Sequence, residues 1–348
     1  MKKKILSKTR QFQLAGKQFS VCLPDDQRPP RVAFNTRLLL SSWGGANQFL
    51  KQFAPYLAAH GAEVVYELDP RVTHIFILDV RPIVTATFSM SDIANFIKKF
   101  PDTVVINRVN NCDKKYTAAD YVPGYEDLDG QMMDASEMAT HSIFISNWLK
   151  DYFIEKGYTQ HAESAVIQNA ADPETFYPGN KVWDGQEKMK LVTHHWSDNW
   201  LKGFKVYQQV DELIASGQLE GFELTVIGRW PEEIQWKAAK TYGPCQGADL
   251  ANKLREQHLY LTASLWEPGG MHFIEGMQCG LPVVYHEDGG GIPEVAQEAG
   301  ICFRDNVKRA LLEARSRYQE LRNLVLVNAP SGQVLCQRFG NAMGLSAS

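Results

Sequence analysis

Residues 259–294 read LYLTASLWEPGGMHFIEGMQCGLPVVYHEDGGGIPE, and this stretch decides the fold class. An apolar run ends at about Ala263, a loop with two glycines follows, and an amphipathic segment begins at about Met271. Gly280 and Pro282 then end that segment before a second apolar run. This order predicts a strand, a loop, a helix and a parallel strand, which is the repeating unit of α/β sheets.

The same alternation of strands and helices extends along most of the chain. It predicts strands at residues 31–35, 63–67, 73–78, 103–106, 142–145, 165–167, 190–194, 223–227, 259–263 and 283–285. It predicts helices at residues 46–59, 91–99, 148–156, 204–215, 231–241, 249–257 and 271–278, the first of them kinked or split by Pro55. Strands separated by helices of this length pair in parallel, as in βαβ units.

The stretch at residues 172–188 interrupts this alternation with two prolines, two glycines and many charges, which indicates a linker between domains. The sequence therefore predicts an α/β protein of two Rossmann-like domains that face each other across a cleft. The first domain covers residues 1–175 and the second covers residues 176–330. A final helix at about residues 331–348 is a candidate to pack back on the first domain. In such sheets, ligands bind at the carboxyl ends of the strands.

Composition narrows the class of protein. The chain has 348 residues, 44% of them apolar, and a net charge of -4 with a pI near 6.2, which argues against a dedicated nucleic-acid binder. The six cysteines are scattered without a Cys-x-x-Cys pair, so neither a zinc site nor a disulfide framework is predicted. This cysteine usage favours a reducing, cytoplasmic location.

Neither a secretory signal nor a membrane span is predicted. The basic start of the chain lacks the apolar core of a secretory signal, and no apolar run reaches the roughly 18 residues of a transmembrane helix. Peripheral membrane contact through Lys2 to Lys4 stays open beside the alternative of a solvated basic tail.

The glycines before the predicted helix at residues 271–278 mark a candidate anion site. A helix N-terminus offers unpaired N–H groups and a positive dipole end, and Gly269 and Gly270 allow close approach. Glu267 and Glu275 bracket this site, where two carboxylates would repel an anion. They therefore fit as acceptors for sugar and ribose hydroxyls. A helix-dipole role for Glu267 and a surface position for Glu275 are the open alternatives.

The stretch from Glu267 to Glu294 resembles the Glu-x7-Glu motif of the retaining GT-B glycosyltransferases of family 4, also called glycosyl transferases group 1. The matching residues, in chain order, are Glu267, Gly269, Gly270, Glu275, Cys279, Gly280, Pro282, Val283, Val284, Gly290, Gly291 and Glu294. The resemblance implies that Glu267 and the backbone of residues 269–271, including Met271, contact the donor sugar, and that Glu275 holds the ribose hydroxyls. His272 lies inside the motif, where a sugar contact and a packed helix histidine are both open.

Residues 196–204 (WSDNWLKGF) carry a candidate phosphate site. Lys202 stands just before a predicted helix, where a cation suits a diphosphate, although a solvated lysine is the alternative. The resemblance makes Lys202 the phosphate-binding lysine of the family. Five residues earlier the family has an arginine, and here that position is Ser197. Arg229, which follows the predicted strand at residues 223–227, is a candidate substitute.

The first domain matches the family less closely. Gly44 and Gly45 resemble the Gly-Gly loop that reaches phosphate and acceptor, although a flexible turn is the alternative. Family members commonly carry a histidine at the end of a first-domain strand. Here Asn107, Arg108 and Asn110 occupy that place, and the two asparagines are candidate catalytic residues beside Glu267 and Lys202.

The resemblance implies a hexosyltransferase of polysaccharide or glycoconjugate biosynthesis. It would move a sugar, with retention, from a nucleoside-diphosphate sugar to a hydroxyl of a carbohydrate, glycolipid or glycan. No Asp-x-Asp pair precedes the donor site, so neither a metal nor a cofactor is expected. A catalytically inactive nucleotide-sugar or carbohydrate-binding protein stays open, because the family's arginine and histidine are missing. Gly-x-Gly-x-x-Gly and P-loop sequences are absent, which argues against an oxidoreductase and a P-loop kinase.

Overall fold

The computed structural model describes residues 8–14, 17–23, 29–39, 44–116, 127–159 and 163–345. Lys2 to Lys4 therefore lie outside the described residues. The described chain forms two parallel six-stranded sheets and an antiparallel hairpin of β1 (Lys8–Leu14) and β2 (Lys17–Leu23).

The first domain contains one sheet with helices on it. Its strands are β3 (Arg31–Phe34), β4 (Glu63–Val65), β5 (His74–Ile77), β6 (Val104–Val109), β7 (His141–Phe144) and β8 (Glu163–Val166), in the order β4-β3-β5-β6-β7-β8. Its helices are α1 (Gly44–Ala59), α2 (Met90–Lys99), α3 (Leu128–Met138) and α4 (Asn147–Glu155). The strand order reverses between β3 and β5, which makes a crevice at their carboxyl ends.

The second domain repeats this architecture. Its strands are β9 (Met189–His195), β10 (Phe222–Gly228), β11 (Lys240–Tyr242), β12 (Leu259–Thr262), β13 (Val283–His286) and β14 (Gly300–Phe303), in the order β11-β10-β9-β12-β13-β14. Its helices are α5 (Phe204–Ala215), α6 (Gly247–Arg255), α7 (Met271–Gln278), α8 (Ile292–Ala296), α9 (Val307–Ser316) and α10 (Tyr318–Asn328), and α11 (Gly332–Ala342) follows them in the chain. The corresponding crevice lies between β9 and β12.

The last helix returns to the first domain. Phe339 of α11 packs between Phe49 and Phe53 of α1, with ring centroids 4.8 and 5.6 Å away. Phe339 is fully buried, and burying a phenylalanine side chain contributes about 1.5–3 kcal/mol. The end of the chain is thus part of the first domain's core.

The predicted strands and helices agree with the structure within three residues at either end, with two exceptions. The final helix, expected at about residues 331–348, ends at Ala342. The helix expected at residues 231–241 is wrong: this stretch turns and then enters β11. The buried carboxylate of Asp211 accepts hydrogen bonds from the backbone N–H groups of Lys237, Ala238 and Ala239 at 2.6–2.9 Å, which replaces a helical hydrogen-bond pattern. The split expected at Pro55 is also wrong, since α1 continues through it. The hairpin, α3, α8 and β14 were not predicted, and the chain after Asn306, expected to form one or two helices, forms α9, α10 and α11.

Candidate active site in the cleft

A cavity of about 560 Å³ lies where the carboxyl ends of the two sheets face each other. Residues that follow β3, β5 and β6 line its first-domain wall, among them Arg37, Asp79, Arg81, Asn110 and Lys115. Residues that follow β9 and β12 line the opposite wall, among them Ser197, Lys202, Glu267, Gly269, Gly270 and His272. The cavity therefore lies at the expected place for a ligand site in facing α/β sheets.

Glu267 is the central carboxylate of the cavity and is 5% exposed. Lys202 Nζ donates a hydrogen bond to its Oε2 atom. Lys115 Nζ, from the other domain, lies 3.2 Å from its Oε1 atom. Burial alone would raise the pKa of Glu267, but Lys115 and then Lys202 hold that pKa well below its usual value. Glu267 is therefore a charged carboxylate at neutral pH, held between two cations.

The backbone at Glu267 is strained and tightly held. Trp266, just before it, has a φ of 50°, which is uncommon for a bulky side chain. Its N–H donates to the carbonyl of Asp288 at 2.8 Å, and the N–H of Gly291 donates to the carbonyl of Glu267 at 2.9 Å. The loop at residues 288–291 therefore holds the backbone of Trp266 and Glu267 in place, and with it the position of the Glu267 side chain.

The N-termini of two helices meet at the cavity. Gly270 precedes α7, and none of the described side chains caps this end. A Cβ atom added to Gly45, near the start of α1, would lie 3.3 Å from the side chain of Met271. The N-terminus of α7 therefore directs its positive dipole end and free N–H groups to this space, and α1 directs its positive dipole end to the same space, which suits an anion.

Three buried histidines lie close together, His194 and His195 at the end of β9 and His272 in α7. His194 Nε2 is 2.9 Å from Glu275 Oε2, and His194 Nδ1 is 3.0 Å from the hydroxyl of Tyr260. Glu275 is 6% exposed and lies outside the cavity lining, whereas His272 lines the cavity. Burial lowers the pKa of His195 and of His272 well below the usual value, so both rings are neutral at pH 7.

Of the two candidate catalytic asparagines, Asn107 lies within β6 and Asn110 directly follows it, and Asn110 alone of the two lines the cavity. Successive side chains of a strand point to opposite faces. Asn107 points to α3, where its side chain donates to Ser136 Oγ at 2.9 Å, and it lies outside the cavity lining. Asn107 is therefore removed from the candidate catalytic residues. Asn110 does line the cavity, with its amide donating to the carbonyl of Leu78 at 2.8 Å.

Arg108, on the opposite face of β6, reaches the cavity although it is 2% exposed. It donates a hydrogen bond of 2.6 Å to Asn169 Oδ1, and Asn169 Nδ2 donates at 2.6 Å to the carbonyl of Gly269. Its guanidinium lies 4.5 Å from the centre of the Phe49 ring. Among the described residues, no carboxylate pairs with it. Arg108 thus connects the first domain to the loop at residues 263–270 of the second domain, which we call the donor loop.

Of the remaining predicted residues, Gly45 reaches the cavity and Arg229 does not. Gly44 begins α1 and Gly45 lines the cavity. Arg229 is exposed, lies outside the cavity lining and uses its backbone N–H to bond the carbonyl of His195 at 2.9 Å. Arg229 is therefore not the substitute for the arginine that Ser197 replaces.

Sequence reasoning missed Lys115 altogether. Lys115 belongs to a single helical turn, Asp113–Lys115, which has no periodicity to detect. Its position just beyond the carboxyl end of a predicted strand was the available signal, because that edge of a parallel sheet is where ligands bind.

Known proteins match the chain in part of its sequence and in its fold. Residues 195–319 match the family model "Glycosyl transferases group 1". This match lies within the second domain. This domain includes Lys202, Glu267, Glu275 and the glycines at the start of α7. No curated protein matches the chain in sequence.

Solved structures share the whole fold. A glycosyltransferase from Rickettsia africae is 14% identical over 91% of this chain and 98% of its own, with a TM-score of 0.62. Anabaena HepE in complex with UDP and glucose is 14% identical over 91% and 100%, with a TM-score of 0.61. Sucrose-phosphate synthase from Thermosynechococcus elongatus is 14% identical over 90% and 98%, with a TM-score of 0.58. The predicted GT-B fold of two Rossmann-like domains is thereby confirmed.

The described residues lack two features. No helix among them has the length and apolarity needed to cross a membrane. No group of three or more His, Cys, Asp or Glu side chains among them is placed to hold a metal ion.

Proposed function

We propose that this glycosyltransferase moves a sugar from a nucleoside-diphosphate sugar to an acceptor hydroxyl with retention of configuration and without a metal ion. The observation that carries the proposal is the position of Glu267. This charged carboxylate lies between Lys115 and Lys202, beside the uncapped N-terminus of α7, inside the stretch that matches the family model "Glycosyl transferases group 1".

The leaving group explains the positive charge of the cleft. When the bond between sugar and diphosphate breaks, negative charge builds up on the diphosphate. Lys202 and the free N–H groups at the start of α7 stabilise that charge where it develops. The cavity volume of about 560 Å³ lies within the usual range for small-molecule sites. A metal ion is not needed for this role, because the lysine and the helix end supply it.

Glu267 and Glu275 have different proposed tasks on the donor. Glu267 accepts hydrogen bonds from sugar hydroxyls, which fix the sugar at the cavity centre. Glu275, which His194 contacts and which lies outside the cavity lining, is proposed from its place in the motif to accept the ribose hydroxyls. The Anabaena HepE structure contains UDP and glucose, so uridine is the first base to test.

Retention of configuration is supported by the ion pairs that the two carboxylates of the cavity form with cations. Inversion needs a general base that takes the acceptor's proton on the face opposite the leaving group. Among the described residues that line the cavity, the carboxylates are Asp79 and Glu267. Arg81 holds Asp79 at 2.8 Å, and two lysines hold Glu267, so neither suits that task. The neutral rings of His195 and His272 belong to the second-domain wall, with Nε2 atoms 3.0 Å from the hydroxyls of Thr193 and Thr262, so they are engaged on the donor side of the cavity.

The acceptor is proposed to enter along the first-domain wall. Asn110 and Gly45 face the cavity there, opposite the donor loop. A polar wall of this kind suits the hydroxyls of a carbohydrate, a glycolipid or a glycan. A cytoplasmic location is proposed as well, since Cys112, Cys245, Cys279, Cys302 and Cys336 are unpaired thiols.

Donor binding and hydrolysis test the proposal. We expect one of a panel of UDP-, GDP- and ADP-sugars to bind the wild-type protein and to be hydrolysed slowly. Lys202→Ala should lower the hydrolysis rate by about 10²–10³-fold, as removal of one preorganised donor does. Lys205→Ala, an exposed neighbour on α5, is the matched control and should behave as wild type.

The same experiment distinguishes the second candidate function, a catalytically inactive nucleotide-sugar or carbohydrate-binding protein. The first-domain wall favours this alternative, because Asn110 and Arg108 occupy the place where the family that the sequence resembles has a histidine. Tight donor binding with no turnover, with or without an acceptor panel, would establish this alternative. Failure of every nucleotide-sugar to bind would refute the transferase and the nucleotide-sugar-binding form of the alternative.

A further inference from the structure

The second domain alone gives a diphosphate too little positive charge. Lys202 is the one charged cation among the described second-domain residues of the cavity, because His195 and His272 are neutral. Glu267 already accepts a hydrogen bond from Lys202. Arg229 lies outside the cavity, and Ser197 carries no charge. A diphosphate with a negative charge on each phosphate therefore needs another cation.

Lys115 is placed to supply that charge from the first domain. It lines the cavity, its side chain is 27% exposed, and its Nζ atom lies 3.2 Å from Glu267 Oε1. Lys202 approaches the other oxygen of the same carboxylate. The two ammonium groups therefore flank one point of the cavity, beside the N-terminus of α7.

We propose that Lys115 is the second cation of the diphosphate site and that it contacts the phosphates of a nucleoside diphosphate from the domain opposite Lys202. This inference rests on the proposed function and deepens it. Since the two lysines belong to different domains, the diphosphate site is complete only when the cleft is closed. Donor affinity and domain closure are thereby coupled.

The charge balance of the cavity argues against a role limited to tying the domains together. One lysine is enough to neutralise Glu267, and the second leaves a positive surplus beside a helix end of the same sign. Across the described residues of the cavity, Arg37, Arg81, Arg108, Lys115 and Lys202 stand against two carboxylates. Such a surplus in a partly buried site becomes favourable when an anion binds.

Calorimetric titration with UDP tests the inference, with GDP and ADP as the replacement probes if UDP does not bind. Lys115→Met should weaken UDP binding about tenfold to a hundredfold, the effect of losing one charge-assisted hydrogen bond. Binding of uridine, which has no phosphate, should stay within about twofold. Lys115→Arg should restore most of the affinity. Lys99→Met, which removes an exposed charge at the end of α2 in the same domain, is the matched control and should bind UDP as wild type does.

The same substitution made in a Glu267→Gln variant distinguishes a direct contact of Lys115 with phosphate from an effect of Lys115 through Glu267. In Glu267→Gln, Lys115→Met should still weaken UDP binding by a similar factor. If the effect disappears there, Lys115 acts only by neutralising the carboxylate and the inference is overturned. Equal UDP binding by wild type and Lys115→Met overturns it as well, with the proposed function untouched. If none of the three nucleoside diphosphates binds the wild type, the proposed function fails and this inference fails with it.

Discussion

Gly290 supports the backbone of Glu267 at a position where no side chain fits. Its φ is 70°, and an added Cβ atom would lie 2.6 Å from the carbonyl oxygen of Glu267. Gly290→Ala should therefore cost about 1–3 kcal/mol of unfolding free energy and also displace Glu267, so that donor affinity falls. Urea denaturation and calorimetric titration measure the two effects.

Gly185 provides the control for that substitution. It has a φ of 83°, but an added Cβ atom would meet nothing within 4 Å. Gly185→Ala should lose stability through backbone strain alone and keep its donor affinity. Equal donor affinity in Gly290→Ala would show that the glycine contact does not position Glu267.

Arg108 is kept in the cavity wall at a cost in stability. Burial lowers its pKa to about 9, and no carboxylate among the described residues compensates its charge. Arg108→Met should leave the free energy of unfolding unchanged or higher, since replacing buried charges by apolar side chains is often neutral or stabilising. Donor hydrolysis should fall, because Asn169 loses the bond that holds it against Gly269. A clear loss of stability would contradict this account.

At the level of elements, His258 joins two neighbouring strands. It precedes β12, and its Nδ1 atom accepts the backbone N–H of Lys190 in β9 at 3.1 Å. Burial lowers its pKa to about 4. Between about pH 6.5 and pH 4 the unfolded chain binds this proton and the folded chain does not, so stability is lost as the pH falls through that window.

The size of that loss follows from the two pKa values. Between pH 7 and pH 5, His258 should account for about 2 kcal/mol of the fall in unfolding free energy. Urea denaturation of wild type and His258→Asn at both pH values checks this. The variant should be less stable at pH 7 and show a smaller fall on acidification. An equal fall in both proteins would contradict the neutral, buried state of this ring.

Elements with strong periodicity could be predicted, and elements defined by distant partners could not. Helices α5 and α7 have their predicted bounds, because their apolar spacing and flanking glycines are local. The error at residues 231–241 arises from Asp211, which lies more than twenty positions away and binds three backbone N–H groups. The site follows the same rule. Glu267 and Lys202 lie in local motifs, whereas Lys115 meets them only after both domains have folded.

At the level of the whole molecule, Glu294 links the two domains outside the cavity. Its carboxylate in α8 accepts hydrogen bonds from the backbone N–H of Asn147 at 2.8 Å and from its side chain at 2.9 Å, at the N-terminus of α4. A carboxylate at a helix N-terminus is also favoured by the dipole. This contact forms only when the domains are together, so it stabilises the closed cleft.

Glu294→Ala should therefore weaken UDP binding although Glu294 does not line the cavity. If Lys115 and Lys202 must reach the phosphates together, affinity falls in proportion to the closed population, by about threefold to tenfold for one such contact. Small-angle X-ray scattering of the free protein should show a larger radius of gyration than in wild type. Glu298→Ala, an exposed carboxylate four residues on, should change neither quantity. A lower affinity with an unchanged radius would mean that Glu294 acts on the donor loop locally, and unchanged affinity with a larger radius would mean that donor binding does not depend on closure.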